Sequence, residues 1–191
     1  MWDFFETVRH RHSVRCYQSD MPVEKEKLHA ILETACSAPS AGDLQAYKII
    51  VVSNPEKRQA LANAAEGQSF ISAAPVCLVF CADPQRSATQ YGERGQKLYA
   101  VQDTTIAAAY AQLAVVAAGM GSTWVGYFDE LAIRPHLPHR LELLVHQHRA
   151  VRAKLDGCMN DFSHRPLDRL FVDFPDSTRF NQAEMRRSGK R

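Results

Sequence analysis

Two arginines and a serine near the amino-terminal end have the types and spacing to hold a phosphate group. The segment 11–15 reads Arg-His-Ser-Val-Arg. If it is extended, Arg11, Ser13 and Arg15 share one side and Val14 faces the other. Guanidinium groups match phosphate oxygens with paired hydrogen bonds and keep their charge at physiological pH. The segment is a candidate phosphate site, although two arginines in such a position more often form a solvated surface.

A loop of small residues that leads into an apolar run is the second candidate. Residues 37–47 read Ser-Ala-Pro-Ser-Ala-Gly-Asp-Leu-Gln-Ala-Tyr. Small side chains let a flat ligand lie against the backbone, and Ser40, Asp43 and Gln45 offer hydrogen bonds to the edge of a heterocycle. Taken alone, the loop is also typical of a plain connection between a helix and a strand.

The third candidate is the segment 119–128, which reads Gly-Met-Gly-Ser-Thr-Trp-Val-Gly-Tyr-Phe. Its first glycines are placed to end a helix, and residues 122–128 are predicted as a strand with Gly126 inside it. A glycine within a strand often marks the close approach of a ligand. The segment is not a dinucleotide fingerprint, because its glycines follow a helix instead of opening one.

Apolar patterns predict the elements that position these segments. Helices are expected over residues 3–10, 23–36 and 55–65, and in the second Leu28, Ile31, Leu32 and Ala35 share one stripe. β-branched runs at 47–53 and 75–82, each closed by an Asx-Pro pair, predict buried strands.

Residues 103–118 predict a long helix that is apolar nearly all round. Asp103 or Thr104 is expected to cap its start and Gly119 or Gly121 to end it. The helix has no charge after Asp103, so it must be covered on nearly every side. Its alanines favour close packing in a core or at a dimer interface.

Composition indicates an ordinary globular protein with one main domain. Of 191 residues, 46% are hydrophobic and 23% charged. The net charge of +2 comes from a basic end at 182–191, so residues 1–181 carry −1, which argues against a nucleic-acid footprint. Five cysteines without a C-x-x-C pair indicate reduced thiols. No apolar run predicts a membrane span, and the start does not resemble a secretory signal, so a cytoplasmic location is expected.

Taken together and in this order, the three segments resemble the flavin-dependent nitroreductase family. Its members typically carry Arg-Arg/His-Ser-x-Arg, then Ala-Pro-Ser-x-x-Asn-x-Gln-Pro-Trp entering a strand, then an alanine-rich helix ending in Gly-x-Gly-Ser. The resemblance covers about residues 4–130, with an echo at 163–167. It implies a dimeric α+β fold with a mostly antiparallel central sheet flanked by helices. We expect an FMN-binding domain over 1–175 and a basic tail over 176–191.

The resemblance also implies one FMN per site, held at a homodimer interface. One group of residues would hold the phosphate and ribityl end, a second would line the isoalloxazine, and others would lie near its far edge or add a polar contact. In that order the groups are Arg11, His12, Ser13, Arg15 and Arg165; then Pro39, Ser40, Ala41, Asp43 and Gln45; then Val125, Gly126 and Gln68.

The implied activity is ping-pong hydride transfer through FMN, from NADH or NADPH to a nitroaromatic, a quinone or a related small acceptor. No side chain is expected to act as a catalytic acid or base. An alternative is a flavin-binding or flavin-handling protein with little reductase turnover. A third hypothesis, ranked last, is a metal or interaction protein that uses the basic tail and the donors His136, His139, His146, His148 and Cys158; we expect no metal site.

Two departures from the family pattern stand out. Asp43 occupies the usual Asn position, and an ionised carboxylate cannot donate the hydrogen bond that an amide would; Ala46 and Tyr47 replace Pro-Trp. The segment 134–160 is atypical, because only a short apolar run survives where a strand is expected. Either this edge was rebuilt or the reading frame is locally altered. The role of Arg165 depends on the same segment.

Overall fold

An antiparallel pair of apolar strands forms the centre of the fold. The computed structural model describes residues 3–18 and 20–137 and the backbone of 172–173. Strand β1 (Tyr47–Val52) pairs with β2 (Cys77–Ala82), with Tyr47 opposite Ala82. Every residue of β2 is buried, as expected for a strand covered on both faces. A short strand β3 (Val172–Asp173) adds to the other side of β1 in parallel, in the order β2-β1-β3.

Seven helices surround these strands within the described residues. Short 3₁₀ turns occupy Ala41–Asp43 and Arg134–His136, and a π-helical turn, Gly95–Tyr99, joins the fifth helix to the sixth. The predicted α+β class, the first two strands and the helices near 3–10, 23–36 and 55–65 are confirmed. The helices are α1 (Phe4–His10), α2 (Lys25–Cys36), α3 (Pro55–Ala64), α4 (Phe70–Ala73), α5 (Pro84–Arg94), α6 (Ala100–Ala117) and α7 (Glu130–Ile133).

Helix α2 packs its predicted stripe into a core cluster that it shares with α6 and β2. Ile31, Leu32 and Ala35 are each at most 2% exposed. They share one core cluster with Leu78 and Phe80 of β2 and with alanines of α6. This packing fixes the position of α6 against the sheet. The parts of the candidate site are therefore described by the end of α6 that they contact.

Helix α6 begins earlier than the sequence predicts. Its first residue is Ala100 and it continues directly from the π-helical turn, so neither Asp103 nor Thr104 caps it. The carboxylate of Asp103 is instead occupied by a distant loop, a long-range contact that local capping rules do not consider. The predicted stop at Gly119 is confirmed: its φ is +77°, and the next amide, Met120 N–H, donates to Val115 O at 3.0 Å.

The predicted strand over 122–128 is wrong. Only Ser122 pairs, through an isolated parallel bridge with Ser13. Trp124, Val125 and Phe128 are nevertheless buried. Their apolar, β-branched and aromatic types reflect packing against the core rather than a ladder, and a short apolar run does not distinguish the two.

Three of the cysteines are buried thiols, Cys36, Cys77 and Cys81, whereas Cys16 is exposed, and these four are not joined in disulfides. Cys77 and Cys81 lie in one core cluster, which confirms that they are packed on one face of β2. Cys158, the division at 175/176 and all but the start of 134–160 lie outside the described residues. No helix within the described ranges is long and apolar enough to cross a membrane.

Candidate functional site

The amino-terminal cationic segment is extended and tied to the chain beyond the end of α6. Val14 N–H donates to Ser122 O at 3.0 Å, next to the Ser13–Ser122 bridge. Val14 faces inward, Arg11 and Ser13 are half-buried, and Arg15 is exposed. The segment therefore meets the condition set in the sequence, an extended backbone in which alternate side chains share one side. We call residues 11–15 the cationic segment.

Gly121 makes this close approach of two backbones feasible. A Cβ built on Gly121 would lie 2.6 Å from Cγ2 of Val14 and 3.0 Å from its Cβ. No larger residue fits there unless the cationic segment moves. Gly121 therefore leaves the space that the Val14 side chain occupies, a packing role, whereas the sequence suggested it only as an alternative end of the long helix.

The cationic segment contacts Phe70, which follows the predicted FMN contact Gln68 by two residues. The guanidinium carbon of Arg15 lies 5.8 Å from the centre of the Phe70 ring, a cation–π distance. Two residues earlier, Gln68 donates from Nε2 to Ala65 O at 3.0 Å. Tyr17 completes the surroundings by donating to Val14 O at 2.6 Å, and burial raises its pKa to about 12.

Two buried hydroxyls beside the cationic segment lack partners. Among the described residues, Ser122 Oγ and Thr123 Oγ1 are inaccessible to solvent and have no hydrogen-bond partner. Unsatisfied buried polar groups are uncommon and point to a group that completes them. Together with two guanidinium groups and the Ser13 hydroxyl, this donor set fits the phosphate and ribityl end of a flavin mononucleotide.

The small-residue loop, residues 39–46, is held by hydrogen bonds among its own polar groups. Ser40 Oγ accepts from Gln45 N–H at 2.9 Å, and Asp43 Oδ1 accepts from Gln45 Nε2 at 3.0 Å. Gly42, Asp43 and Gln45 have φ values of +58°, +53° and +46°. Two non-glycine residues in this conformation cost energy that the surrounding contacts must supply. We call residues 39–46 the ring loop.

Asp103 on α6 fastens the ring loop at both ends. Ala41 N–H donates to Oδ1 at 2.9 Å, and Ala46 N–H approaches Oδ2 at 3.5 Å. Asp103 is 2% exposed. Burial raises the pKa of its carboxyl, whereas the two N–H donors act in the opposite direction.

Gln90 and Tyr91 of α5 cover Gly42 of the ring loop, and sequence reasoning missed both. A Cβ on Gly42 would lie 2.6 Å from the Tyr91 hydroxyl and 3.0 Å from Gln90 Oε1. Tyr91 also packs edge to face on Tyr99 at 5.1 Å. The only signal in the sequence is the polar, aromatic stretch before α6.

Replacing Gly42 by Ala is expected to destabilise the protein by about 2 kcal/mol, because the methyl group combines a left-handed backbone with a clash on Tyr91. Urea unfolding measures the change. Gly67 is the matched control: its φ is +73° with open space around it, so Gly67→Ala carries only the backbone part. Equal losses for the two variants would show that Tyr91 does not pack on Gly42 in solution.

The cationic segment and the ring loop lie near opposite ends of α6. The ring loop is fastened at Asp103, whereas Val115 of α6 lines one cavity with Val14 and Ser122. At 1.5 Å per residue, Asp103 and Val115 are about 18 Å apart along the helix. The groups proposed for the phosphate end and for the ring end of FMN are therefore anchored at different ends of α6.

The remaining predicted FMN residues range from buried to exposed. Val125 is 3% exposed and its side chain packs in the core, so only its backbone is available to a ligand. Gly126 is half-buried, and Pro39 and His12 are exposed. Arg165 lies outside the described residues.

No described group of three or more His, Cys, Asp or Glu side chains is placed to hold a metal ion. Of the histidines that suggested such a site, only His136 falls within the described part of the chain.

Comparisons with known proteins agree with this geometry. The chain is 33% identical over 151 residues to an NADH dehydrogenase of Thermus thermophilus, covering 65% of this chain and 73% of that protein. It is 37% identical over 87 residues to an FMN reductase [NAD(P)H] of Bacillus subtilis, but that match covers 46% of this chain and only 34% of the relative.

The crystal structure of a nitroreductase family protein from Clostridium novyi NT superposes with a TM-score of 0.63 at 27% identity, covering 70% of this chain and 75% of the other. A sequence model of the nitroreductase family matches residues 8–72 and 65–146, well over half of the chain. The first of these two ranges includes both the cationic segment and the ring loop. The chain belongs to the nitroreductase family.

Proposed function

We propose that this protein is an FMN-dependent NAD(P)H oxidoreductase that reduces small acceptors such as nitroaromatics or quinones. One observation carries the proposal: an extended cationic segment lies beside buried unpartnered hydroxyls, and the same chain holds a ring loop fastened by a buried carboxylate. The names of the Bacillus relative, an FMN reductase [NAD(P)H], and of other matched proteins support the same chemistry. When bound, FMN would supply the two-electron carrier between nicotinamide and acceptor.

The cationic segment would hold the phosphate end of the cofactor. Arg11 and Arg15 carry fixed positive charge, and Ser13 adds a hydroxyl between them. Guanidinium–phosphate pairs are among the strongest hydrogen bonds in proteins. The hydroxyls of Ser122 and Thr123 would find hydrogen-bond partners in the same group. Gln68 and Arg165 would add further polar contacts.

The ring loop would line the isoalloxazine. Pro39, Ser40 and Ala41 present small side chains against which a flat ring system can lie. The buried side chain of Gln45 donates its amide hydrogen bond to the carboxylate of Asp43, which is the acceptor. The protein's part in catalysis would be to position the ring and exclude water, with no side chain in the role of acid or base.

A homodimer would bring the two halves of the site together. If the twofold axis of the dimer lies perpendicular to α6 and α6 packs on its own copy across it, the two helices are antiparallel. The Asp103 end of one helix then lies beside the Val115 end of its partner. The ring loop of one protomer would face the cationic segment of the other, and each dimer would hold two such sites.

Exposed apolar surface on α1 supports dimerisation. Phe4 and Phe5 are 66% and 69% exposed, and Val8 of the same helix is 46% exposed. On α6, which α1 contacts, Tyr110 is also exposed. Such adjacent apolar side chains are typical of surfaces that another protein covers.

Anaerobic titration of the FMN-loaded protein with NADH and with NADPH tests the proposed activity. We expect the yellow flavin band to bleach with at least one nicotinamide and to return when a quinone or a nitroaromatic is added. Bound flavin that neither nicotinamide bleaches would favour the alternative, a flavin-handling protein with little turnover. Protein that stays colourless with excess FMN would contradict both.

A further inference from the structure

The buried carboxylate of Asp103 reaches from an apolar helix to a loop far away in sequence. It lies 62 residues from Ala41 and 57 residues from Ala46. Both groups that it contacts are backbone amides, so the contact fixes the shape of the ring loop whatever the loop's side chains are. A buried charge is costly unless hydrogen bonds compensate it, and here the compensation is supplied by the ring loop itself.

The ring loop needs such a constraint. It holds three residues with left-handed backbone, of which only Gly42 adopts that conformation without cost. The contacts within the loop, from Gln45 to Ser40 and to Asp43, connect positions that move together. The carboxylate of Asp103 ties Ala41 and Ala46 to α6, a rigid element packed on the sheet.

We propose that Asp103 is a positioning residue for the flavin: its carboxylate holds the ring loop in the shape that receives the isoalloxazine. This rests on the proposed function. Asp103 touches no ligand in this account and acts only through the amides of Ala41 and Ala46.

Substitution by asparagine separates positioning from folding. Asp103→Asn keeps the size of the side chain but replaces one acceptor oxygen with an NH₂ group, which faces an N–H donor. Asparagine also keeps one acceptor oxygen for a backbone N–H of the ring loop, so the fold should be retained. The lost acceptor should instead loosen one end of the ring loop.

Thr104 provides a matched control on the same helix. It is 2% exposed, and its hydroxyl donates to Ala100 O at 2.6 Å, within the helix. Thr104→Val therefore removes a buried hydrogen bond next to Asp103 without touching the ring loop. A general loss of core stability would affect both variants alike.

The experiment measures the FMN dissociation constant by fluorescence quenching and the visible circular dichroism of bound FMN, for the wild type and both variants. For Asp103→Asn we expect the dissociation constant to rise about tenfold or more and the dichroism of the remaining bound flavin to change. For Thr104→Val we expect both quantities to stay at wild-type values. An unchanged dissociation constant and spectrum in Asp103→Asn would overturn the proposal.

Amide hydrogen exchange on the wild-type protein gives a second measurement that needs no variant to fold. The amides of Ala41 and Ala46 should exchange far more slowly than that of Gly42, which has no such acceptor among the described residues. Equally fast exchange at all three would overturn the positioning role. Wild-type protein that binds no FMN would overturn the proposed function. Slow exchange of the Ala41 and Ala46 amides in such a protein would still show that Asp103 holds the ring loop.

Discussion

Replacing both Arg11 and Arg15 by glutamine is expected to weaken FMN binding by about a hundredfold. A hydrogen bond to a charged group contributes about 1.5 kcal/mol at the low end of its range, and Arg15 is exposed, so the low end applies. Glutamine retains a donor but loses the charge and the paired geometry. Fluorescence quenching of FMN measures the change in dissociation constant.

The same double variant should also show a weaker dependence of FMN affinity on salt. Raising ionic strength screens charge pairs, so wild-type affinity should fall with added salt, and affinity of the double variant should fall less. Arg9→Gln is the control: Arg9 lies on α1 two residues earlier, exposed and paired with Glu6. If the double variant bound FMN as tightly as Arg9→Gln does, the cationic segment would not be part of the FMN site.

Mixed dimers of two defective variants are expected to retain one FMN per dimer, although each variant alone binds FMN too weakly to retain it through purification. The first is the Arg11→Gln/Arg15→Gln variant, which lacks the phosphate half. The second is Gly42→Val, which puts a β-branched residue at a φ of +58° and would therefore distort the ring loop. In a mixed dimer, the intact ring loop of the first meets the intact cationic segment of the second.

This result distinguishes a shared site from a site within one protomer. If each chain bound FMN alone, both chains of the mixed dimer would remain defective and no flavin would be retained. Co-expression with two different affinity tags, followed by purification on both, isolates the mixed species for flavin quantitation. Each variant carrying both tags and purified by the same two steps is the control, and we expect it to be colourless.

The sequence predicts those parts of the fold that depend on local pattern. The stripe of Ile31, Leu32 and Ala35 fixes the buried face of α2, and the apolar runs of β1 and β2 become a buried antiparallel pair. The residues around Trp124 have the same strand-forming composition, yet they are buried by packing without a ladder. Composition reports burial in both cases, and only the surrounding chain decides whether a partner strand is present.

The long-range parts of the candidate site could not be predicted in this way. Asp103 is a typical helix cap by sequence, but its partners are Ala41 and Ala46. A single charge at the start of an otherwise apolar helix was the available signal. The contact of Tyr91 with Gly42 gave none, because it depends on where α5 crosses the ring loop. Likewise, the rise of about 18 Å from Asp103 to Val115 becomes relevant only once the structure shows which segment contacts each end of α6.

Sedimentation velocity followed at the visible absorbance of flavin tests the central claim, that FMN is bound between two copies of this chain. The FMN-loaded protein, freed of excess flavin, should carry its visible flavin absorbance in a species of twice the 21.5 kDa chain mass. The protein and flavin signals should coincide at one FMN per chain. Flavin that sediments with a single 21.5 kDa chain would contradict the account.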